Sequence, residues 1–539
     1  MKIFKTFMKL SALAAVVLGM VACGGDGNGG AKLATKDNMI PDDAVVAIKV
    51  MPEQLWEKAV GDPDSKISRM VSRAKFGVAM NSASLGEFGE LVSEVMNDPA
   101  ALGVALDEPV VLSVSADLEK IAVEKASLDL CMVAVLDDHK SFVSFIDTAI
   151  EFVEENGAAE VTKSKDGGYT HYKLFAENGV YVDLGVTSGT AIFRFSYDTI
   201  SKSKNLKKSM AKLFADGGPK NVAGLADFYA AKSDVAVWSD VAGVIETLMP
   251  AIEMSGEFDV KMLEEYMPMY EDASMVSTLD FYDGQTVVKI QSYGSEEMVA
   301  KAMKYNEAAS GKYFKFLPAS SVFVANVAIK DFPGLVDELC KTNPDYKEAL
   351  GYLEESLGID EELLAGFPGL VTVALDGTGI DKREVPGFVL YMECGQNVWD
   401  FVSSYLEQVA DLAGPNQYCI NDVCYVTYNG SAIVLVEAET LRRNYAGGIP
   451  SFASTPLAQQ IAKGGFVFNI EALPSYLLDS VAENVDYYMT GGDLLEYLNS
   501  VVVTASDDFM ASTITLNMGD KEHNMLEKVL EFVASQVAF

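Results

Sequence analysis

The chain is written twice. The segment IPDDAVVAIKV, starting at Ile40, and the segment LPASSVFVANV, starting at Leu317, share one pattern: an apolar residue, proline, three small or acidic residues, then a β-rich run. Further matches follow in the same order. LGV (102–104) before EPVVLSV (108–114) corresponds to LGI (357–359) before FPGLVTV (367–373). MVAVLDDHKSFVSFIDTAIEFV (132–153) aligns without gaps on FVLYMECGQNVWDFVSSYLEQV (388–409). TSGTAIFRF (187–195) matches YNGSAIVLV (428–436), and LADFYAAKSDVAVW (225–238) matches LAQQIAKGGFVFN (457–469). Each half closes on a strand pair and a short helix. Ordered matches of this kind oblige both halves to adopt one topology. The period, roughly 250–280 residues, is too long for a solenoid repeat. It predicts two homologous domains, 39–310 and 316–539.

Periodicity and punctuation give the local structure. Phe142, Phe145, Ile146, Ala149, Ile150 and Val153 share one helical face, with Asp138 placed to cap its start. Val398, Phe401, Val402, Tyr405, Leu406 and Val409 form the matching face in the second half. Asp283-Gly284, Ser188-Gly189 and Asn429-Gly430 signal tight hairpins. Each half therefore reads as antiparallel hairpins with amphipathic helices packed on them, an α+β layout. Hydrophobic and turn positions recur between the halves. No polar motif does, so function is expected outside what the halves share.

The N-terminus carries an address. Lys2, Lys5 and Lys9 precede an apolar run from Leu10 to Ala22, shorter than the roughly 20 residues a membrane-spanning helix needs. This fits a secretory signal over residues 1–22. Met20-Val21-Ala22-Cys23 resembles the bacterial lipoprotein lipobox, with Met where Leu is usual. The resemblance implies cleavage before Cys23 and lipidation of its thiol and new amine. Several acyl chains would anchor the chain stably, at about 0.8 kcal/mol per buried CH2. Residues 24–38 hold five glycines and no aromatic residue, too little apolar surface to fold. They read as a flexible tether reaching roughly 20 Å. Gly24 after Cys23, with a sparse acidic signal beyond it, points to the outer membrane facing the periplasm, with the cell surface as the other destination.

Lys and Arg number 41 against 78 Asp and Glu, a net charge of −37. Nucleic acid is excluded as a partner, because its binding rests on phosphate neutralisation by basic residues. Cys131, Cys340, Cys394, Cys419 and Cys424 remain besides Cys23. An oxidising compartment permits disulfides, and YCINDVCYV offers a local pair. A two-residue turn at Asn421-Asp422 would face Cys419 with Cys424, Cα atoms about 4.5 Å apart, within the range a disulfide accepts. A bond between them is expected.

Catalytic signatures are missing. His139, His171 and His523 are scattered, without zinc-ligand spacing. No nucleophile elbow, P-loop or dinucleotide fingerprint occurs. Ser201-Lys202-Ser203-Lys204 satisfies S-x-x-K without its partner motifs and reads as a basic helix start. Asp376-Gly377-Thr378-Gly379-Ile380-Asp381 lacks the glutamate of a calcium loop. Glu154-Glu155, Glu354-Glu355 and Glu361-Glu362 are paired acids on polar helix faces. Trp238 and Trp399 read as core residues. No catalytic residue, metal or cofactor is assigned.

The Cys23 lipobox, the IPDDAVVAIKV start and the TLNMGDKEHNMLEKVLEFV end together resemble a family of Bacteroidota lipoproteins classed as domain of unknown function 4836. The resemblance implies an envelope location and supplies no activity. The expectation is a non-enzymatic, lipid-anchored binding or scaffolding protein with an envelope protein or glycan partner. The alternative is an envelope hydrolase of glycans or peptides using acidic residues.

Overall fold

Alternating half-buried and buried residues at Val46–Val50 mark a strand with both faces in use. The computed structural model describes residues 40–536 except 82–85, 118–126, 156–160, 167, 178–179, 199–209, 211–213, 215–221, 256–266, 268–269, 271, 343, 368, 379–385, 447–449, 475–476 and 479–496. The signal, Cys23, the tether and Ser201–Lys204 lie outside the described residues. The chain divides into unit 1 (Met1–Phe281, Ser292–Gly294, His523–Phe539) and unit 2 (Tyr282–Gln291, Ser295–Glu522).

Unit 1 begins with β1 (Val46–Val50), α1 (Pro52–Val60), α2 (Lys66–Asn81) and α3 (Gly86–Asn97). Then come β2 (Val110–Asp117), β3 (Ser127–Val135), α4 (His139–Glu155), β4 (Thr162–Asp166), β5 (Tyr169–Glu177), β6 (Val180–Val186) and β7 (Thr190–Asp198). α5 (Leu225–Ala230), β8 (Val235–Asp240), α6 (Val241–Ser255) and β9 (Ser274–Tyr282) follow. Its sheet is antiparallel throughout, in the order β9–β8–β1–β2–β3–β7–β6–β5–β4.

One face of this sheet, carrying Met132, Ala134, Leu184 and Ala191, packs on Phe142, Phe145, Ile146 and Ala149 of α4. Val95 of α3 joins that core, and Phe88 of α3 stacks on Phe152 of α4 at 4.7 Å. On the other face Cys131, Val133, Ile192 and Tyr169 pack under Met210 and Phe214. Nearer its β8 end, Ala47, Ala236 and Trp238 meet Leu225 and Phe228 of α5.

Unit 2 contains β10 (Gln285–Tyr293), α7 (Glu296–Tyr305), β11 (Asn306–Glu307), β12 (Ser321–Ile329), α8 (Phe332–Thr342), α9 (Pro344–Leu357), α10 (Glu361–Leu364) and β13 (Gly369–Asp376). It continues with β14 (Gly387–Glu393), α11 (Gln396–Val409), β15 (Asp411–Gly414), β16 (Gln417–Ile420), β17 (Cys424–Tyr428), β18 (Ala432–Glu437) and α12 (Ala438–Ala446). α13 (Pro456–Gln460), β19 (Gly465–Asn469), β20 (Leu498–Ala505) and β21 (Ala511–Met518) complete it. Residues 285–291 of β10 start an antiparallel order β10–β21–β20–β19–β12–β13–β14–β18–β17–β16–β15. The last helix, α14 (Met525–Gln536), returns to unit 1 and packs on α1 and α2.

From β20 to β15 the unit 2 order reproduces that of unit 1 strand for strand, with α11 in the place of α4. Two expectations from the repeat need correction. First, Val398 and Leu406 of α11 are buried and Phe401 and Val402 pack against the same core, as expected, but Trp399 joins them while Tyr405 is 40% exposed and Val409 66% exposed. The gapless alignment is one residue out of phase at the helix. Asp138 caps α4 by accepting from the Lys140 and Ser141 N–H groups, whereas the cap of α11 is Gly395. Phe142 therefore corresponds to Trp399, and Ala149 to Leu406.

Second, a polar feature does recur. Lys49 on β1 is buried, and its Nζ donates to the carbonyls of Phe228, Tyr229 and Ala231 at 2.6, 2.8 and 2.5 Å. These close the C-terminal end of α5, where carbonyls lack intrahelical partners. At the same place on β12, the fully buried Asn326 donates from Nδ2 to the carbonyls of Ile461 and Ala462, at 3.0 and 3.3 Å, just after α13. Lysine and asparagine share nothing but N–H donors, and donors are what the position requires.

Candidate functional site

A cleft of about 570 Å3 opens where β12 begins and β13, β19 and β21 end, all within unit 2. Strand ends place its polar residues, Asn469 pairing with Ser500 and Ser500 with Asn517 across three neighbouring strands. Gln460 comes from α13, Asn469 from the end of β19, Asn499 and Ser500 from the start of β20, and Asn517 from the end of β21. Ser320, Thr378 and Thr455 add hydroxyls.

Part of this set is pre-ordered. Asn517 Nδ2 donates to Ser500 Oγ at 3.0 Å, and Asn499 Nδ2 to Glu471 Oε2 at 3.5 Å. Asp376, buried beneath the cleft, accepts from Ser320 Oγ at 2.7 Å and from the Thr378 N–H at 3.0 Å. It thus braces the strand ends. Gly377 is required there, since a Cβ would lie 2.6 Å from the Ala472 carbonyl oxygen. Thr455 caps α13 by accepting from the Ala458 N–H. Glu471 and Lys521 are the charged groups among the described lining residues. This chemistry is that of neutral hydrogen-bond donors and acceptors; it offers one carboxylate, where glycoside hydrolysis by the usual route uses two.

The residues singled out in the sequence are dispersed. Trp238 and Trp399 are core residues, Trp238 donating to the Ala223 carbonyl and Trp399 stacking on Tyr428 at 5.5 Å. His139 begins α4. His171 is buried and its Nε2 lies 2.9 Å from Asp183 Oδ1. Nearby on the same sheet face Arg194 Nε donates to Asp129 Oδ1 at 2.8 Å, which also accepts from Ser196 Oγ at 2.9 Å. These pairs satisfy one another inside the sheet. Burial pushes the neighbouring Cys131 thiol up to about 12, which leaves it unreactive. Among the described residues no group of three or more His, Cys, Asp or Glu could hold a metal ion. Glu154 accepts from the Val161 N–H, and Glu155, Glu355 and Glu362 are exposed.

Cys419 and Cys424 are not brought together. Both are free thiols. The turn forms at Asn421 and Asp422, with φ +50° and +57°, and the Val423 N–H donates to the Ile420 carbonyl. The strands then pair Ile420 with Cys424 and Cys419 with Tyr425, leaving Val423 as an extra residue. The Ala438 N–H donates to the carbonyl of that extra residue, Val423, at 2.8 Å. A shift of one residue moves a side chain to the opposite face of the strand, so the two thiols face away from each other.

The fold and cleft together define a mixed α+β protein built on large antiparallel sheets, with an amide-lined recess at the strand ends. The chain belongs to the family described as domain of unknown function (DUF4836), whose model matches residues 36–416. No curated protein and no solved structure is similar to it.

Proposed function

We propose that this is a lipid-anchored binding protein of the cell envelope, built from two copies of one domain. The cleft of unit 2 receives an uncharged, hydrogen-bonding ligand of the glycan or peptide class. The observation that carries this reading is the convergence of Gln460, Asn469, Asn499 and Asn517 with four serine and threonine hydroxyls in one recess. Amides donate and accept at once, as neutral hydroxylated and amide ligands do. The anchor rests on the Met20–Cys23 lipobox and places the chain on the periplasmic leaflet of the outer membrane. The duplication is supported by the reproduced strand order and by the matched Lys49 and Asn326 donors.

The test of binding is a screen of neutral oligosaccharides and tripeptides by saturation-transfer NMR. A hit should be lost in the Asn469→Ala/Asn517→Ala double variant; hits indifferent to that variant, or none at all, count against the cleft. The test of the anchor is the intact mass of the membrane-extracted protein. A Cys23→Ala variant should lose the acyl mass, and an unmodified Cys23 in the wild type would remove the anchor from the proposal.

A further inference from the structure

The sheet face opposite α4 in unit 1 and the face opposite α11 in unit 2 are built on the same strands, yet they are filled differently. In unit 1, Met210 and Phe214 lie on Val133 and Ile192. They sit so close that a Cβ at Gly185 would come within 2.7 Å of the Phe214 ring and 2.9 Å of the Met210 sulfur. In unit 2 the corresponding surface of β14 and β18, carrying Val389, Val434 and Val436, floors a cavity of about 470 Å3 instead, with Leu441 of α12 at its side. In unit 2 Phe314, Phe452 and Leu441 pack in one cluster with Val389 and Val436, and the cavity is the space left beside them.

The walls state what the cavity would hold. Tyr391 lies between Tyr313, at 4.5 Å and 16°, and Phe316, at 5.5 Å and 21°, so three rings form one stack beside the cavity. Phe316 is 44% exposed. Lys315 lies at the mouth, its Nζ 4.7 Å from the Phe316 ring centre. Gln417 and Thr427, joined by a 3.1 Å hydrogen bond, give a polar edge. In a chain with 78 acidic residues against 41 basic ones, Lys315 is the charged group at this cavity, and no carboxylate is among the described residues lining it. Apolar floor, aromatic wall and one cation are the elements of a small-molecule site.

We propose that this cavity binds an amphipathic organic anion: an apolar ring system seated on Val389, Val434 and Val436 against the Phe316–Tyr391 stack, with its anionic group at Lys315. The site is separate from the amide-lined cleft and does not depend on it.

Two dyes differing in charge test it. 1-Anilinonaphthalene-8-sulfonate carries the ring and the anion, and N-phenyl-1-naphthylamine carries the ring alone. Titrated into the folded full chain and followed by fluorescence, the sulfonate should saturate one site. Lys315→Glu should weaken the sulfonate about tenfold or more and leave the neutral amine unchanged, since removing one ion pair at a partly exposed mouth acts on the charged ligand alone. Val434→Trp, which fills the cavity, should abolish both. Phe316→Ala, at a position 44% exposed, should weaken both. Equal sulfonate affinity in wild type and Lys315→Glu would refute recognition of the anion. Binding of both dyes retained in Phe316→Ala, and in Val434→Trp where it folds, would refute the site, as would the absence of saturable binding.

Discussion

Replacing Lys49 by methionine tests what the shared donor position does for the fold. Lys49 is 2% exposed, and burial pushes its pKa down from 10.5 to about 8. At 1.36 kcal/mol per pH unit, the charged form is disfavoured in the folded state by about 3 kcal/mol relative to the neutral one. Against this stand the Phe228, Tyr229 and Ala231 carbonyls, which lose their partner in Lys49→Met. The Phe228 bond is buried and the Tyr229 and Ala231 bonds are part-buried; at about 1–3 kcal/mol for a stranded buried carbonyl and less for a part-buried one, the three together outweigh the relief from desolvation. Methionine conserves volume and adds no cavity term. We expect a net loss of about 2 kcal/mol at pH 7, where carbonyl satisfaction exceeds the desolvation it offsets.

The pH dependence separates this account from a simple ion effect. The folded state holds the Lys49 proton less tightly than the unfolded chain does. The group's penalty is therefore complete below pH 8, and it is relieved as the pH rises from about 8 to 10.5. Wild type gains stability from this group over that interval and Lys49→Met gains none, so the deficit of the variant should widen with pH. The measurement is guanidinium unfolding followed by tryptophan emission in a Trp399→Phe background, which leaves Trp56 and Trp238, both in unit 1. A deficit that shrinks as the pH rises, or a variant as stable as wild type at pH 7, would refute the reasoning.

The corresponding change in unit 2, Asn326→Leu, removes the donor to the Ile461 and Ala462 carbonyls and the acceptor of Thr372 Oγ1. It should destabilise unit 2 by about 2–4 kcal/mol with no alkaline widening, read by the Trp399 emission change. Gly103→Ala should be severely destabilising, because Gly103 has φ +80° and an added Cβ would lie 2.2 Å from the Asp138 carbonyl oxygen; thermal melting checks it, and an unchanged Tm would contradict the local geometry. Cys419 and Cys424 should both alkylate in protein unfolded without reductant, as peptide mapping would show, and a linked peptide would overturn the register that pairs Ile420 with Cys424.

What was legible in the sequence was what each segment encodes alone. Strand alternation, the α4 face and the left-handed turns at Gly284 and Gly430 depend on neighbours within a few residues. On the α11 face Val398, Phe401, Val402 and Leu406 are legible, whereas Tyr405 and Val409 fall outside it, because the phase depends on where the helix starts and Gly395 carries no side chain to signal a cap as Asp138 does. The 420–424 register was misread because Val423 enters as an extra residue, and the Ala438 N–H that donates to its carbonyl lies outside the hairpin's own residues. The cleft left no motif, since its amides come from the ends of strands far apart in the chain and meet through sheet order alone.

Lys49 and Asn326 hold corresponding places in the two strand orders, although their residue types differ. Both positions face the end of a short helix and supply N–H donors to its terminal carbonyls. A lysine meets that need with three donors and a desolvation penalty, an asparagine with two donors and none of that penalty. Where a fold demands only hydrogen-bond polarity, side chains of different size and charge satisfy it equally. The converse holds on the sheet faces opposite α4 and α11. There, similar apolar residues floor a sealed core under Met210 and Phe214 in unit 1 and an open cavity in unit 2. Residue identity is therefore a weak guide to equivalence in this chain, and the position of a group in the strand order is a strong one.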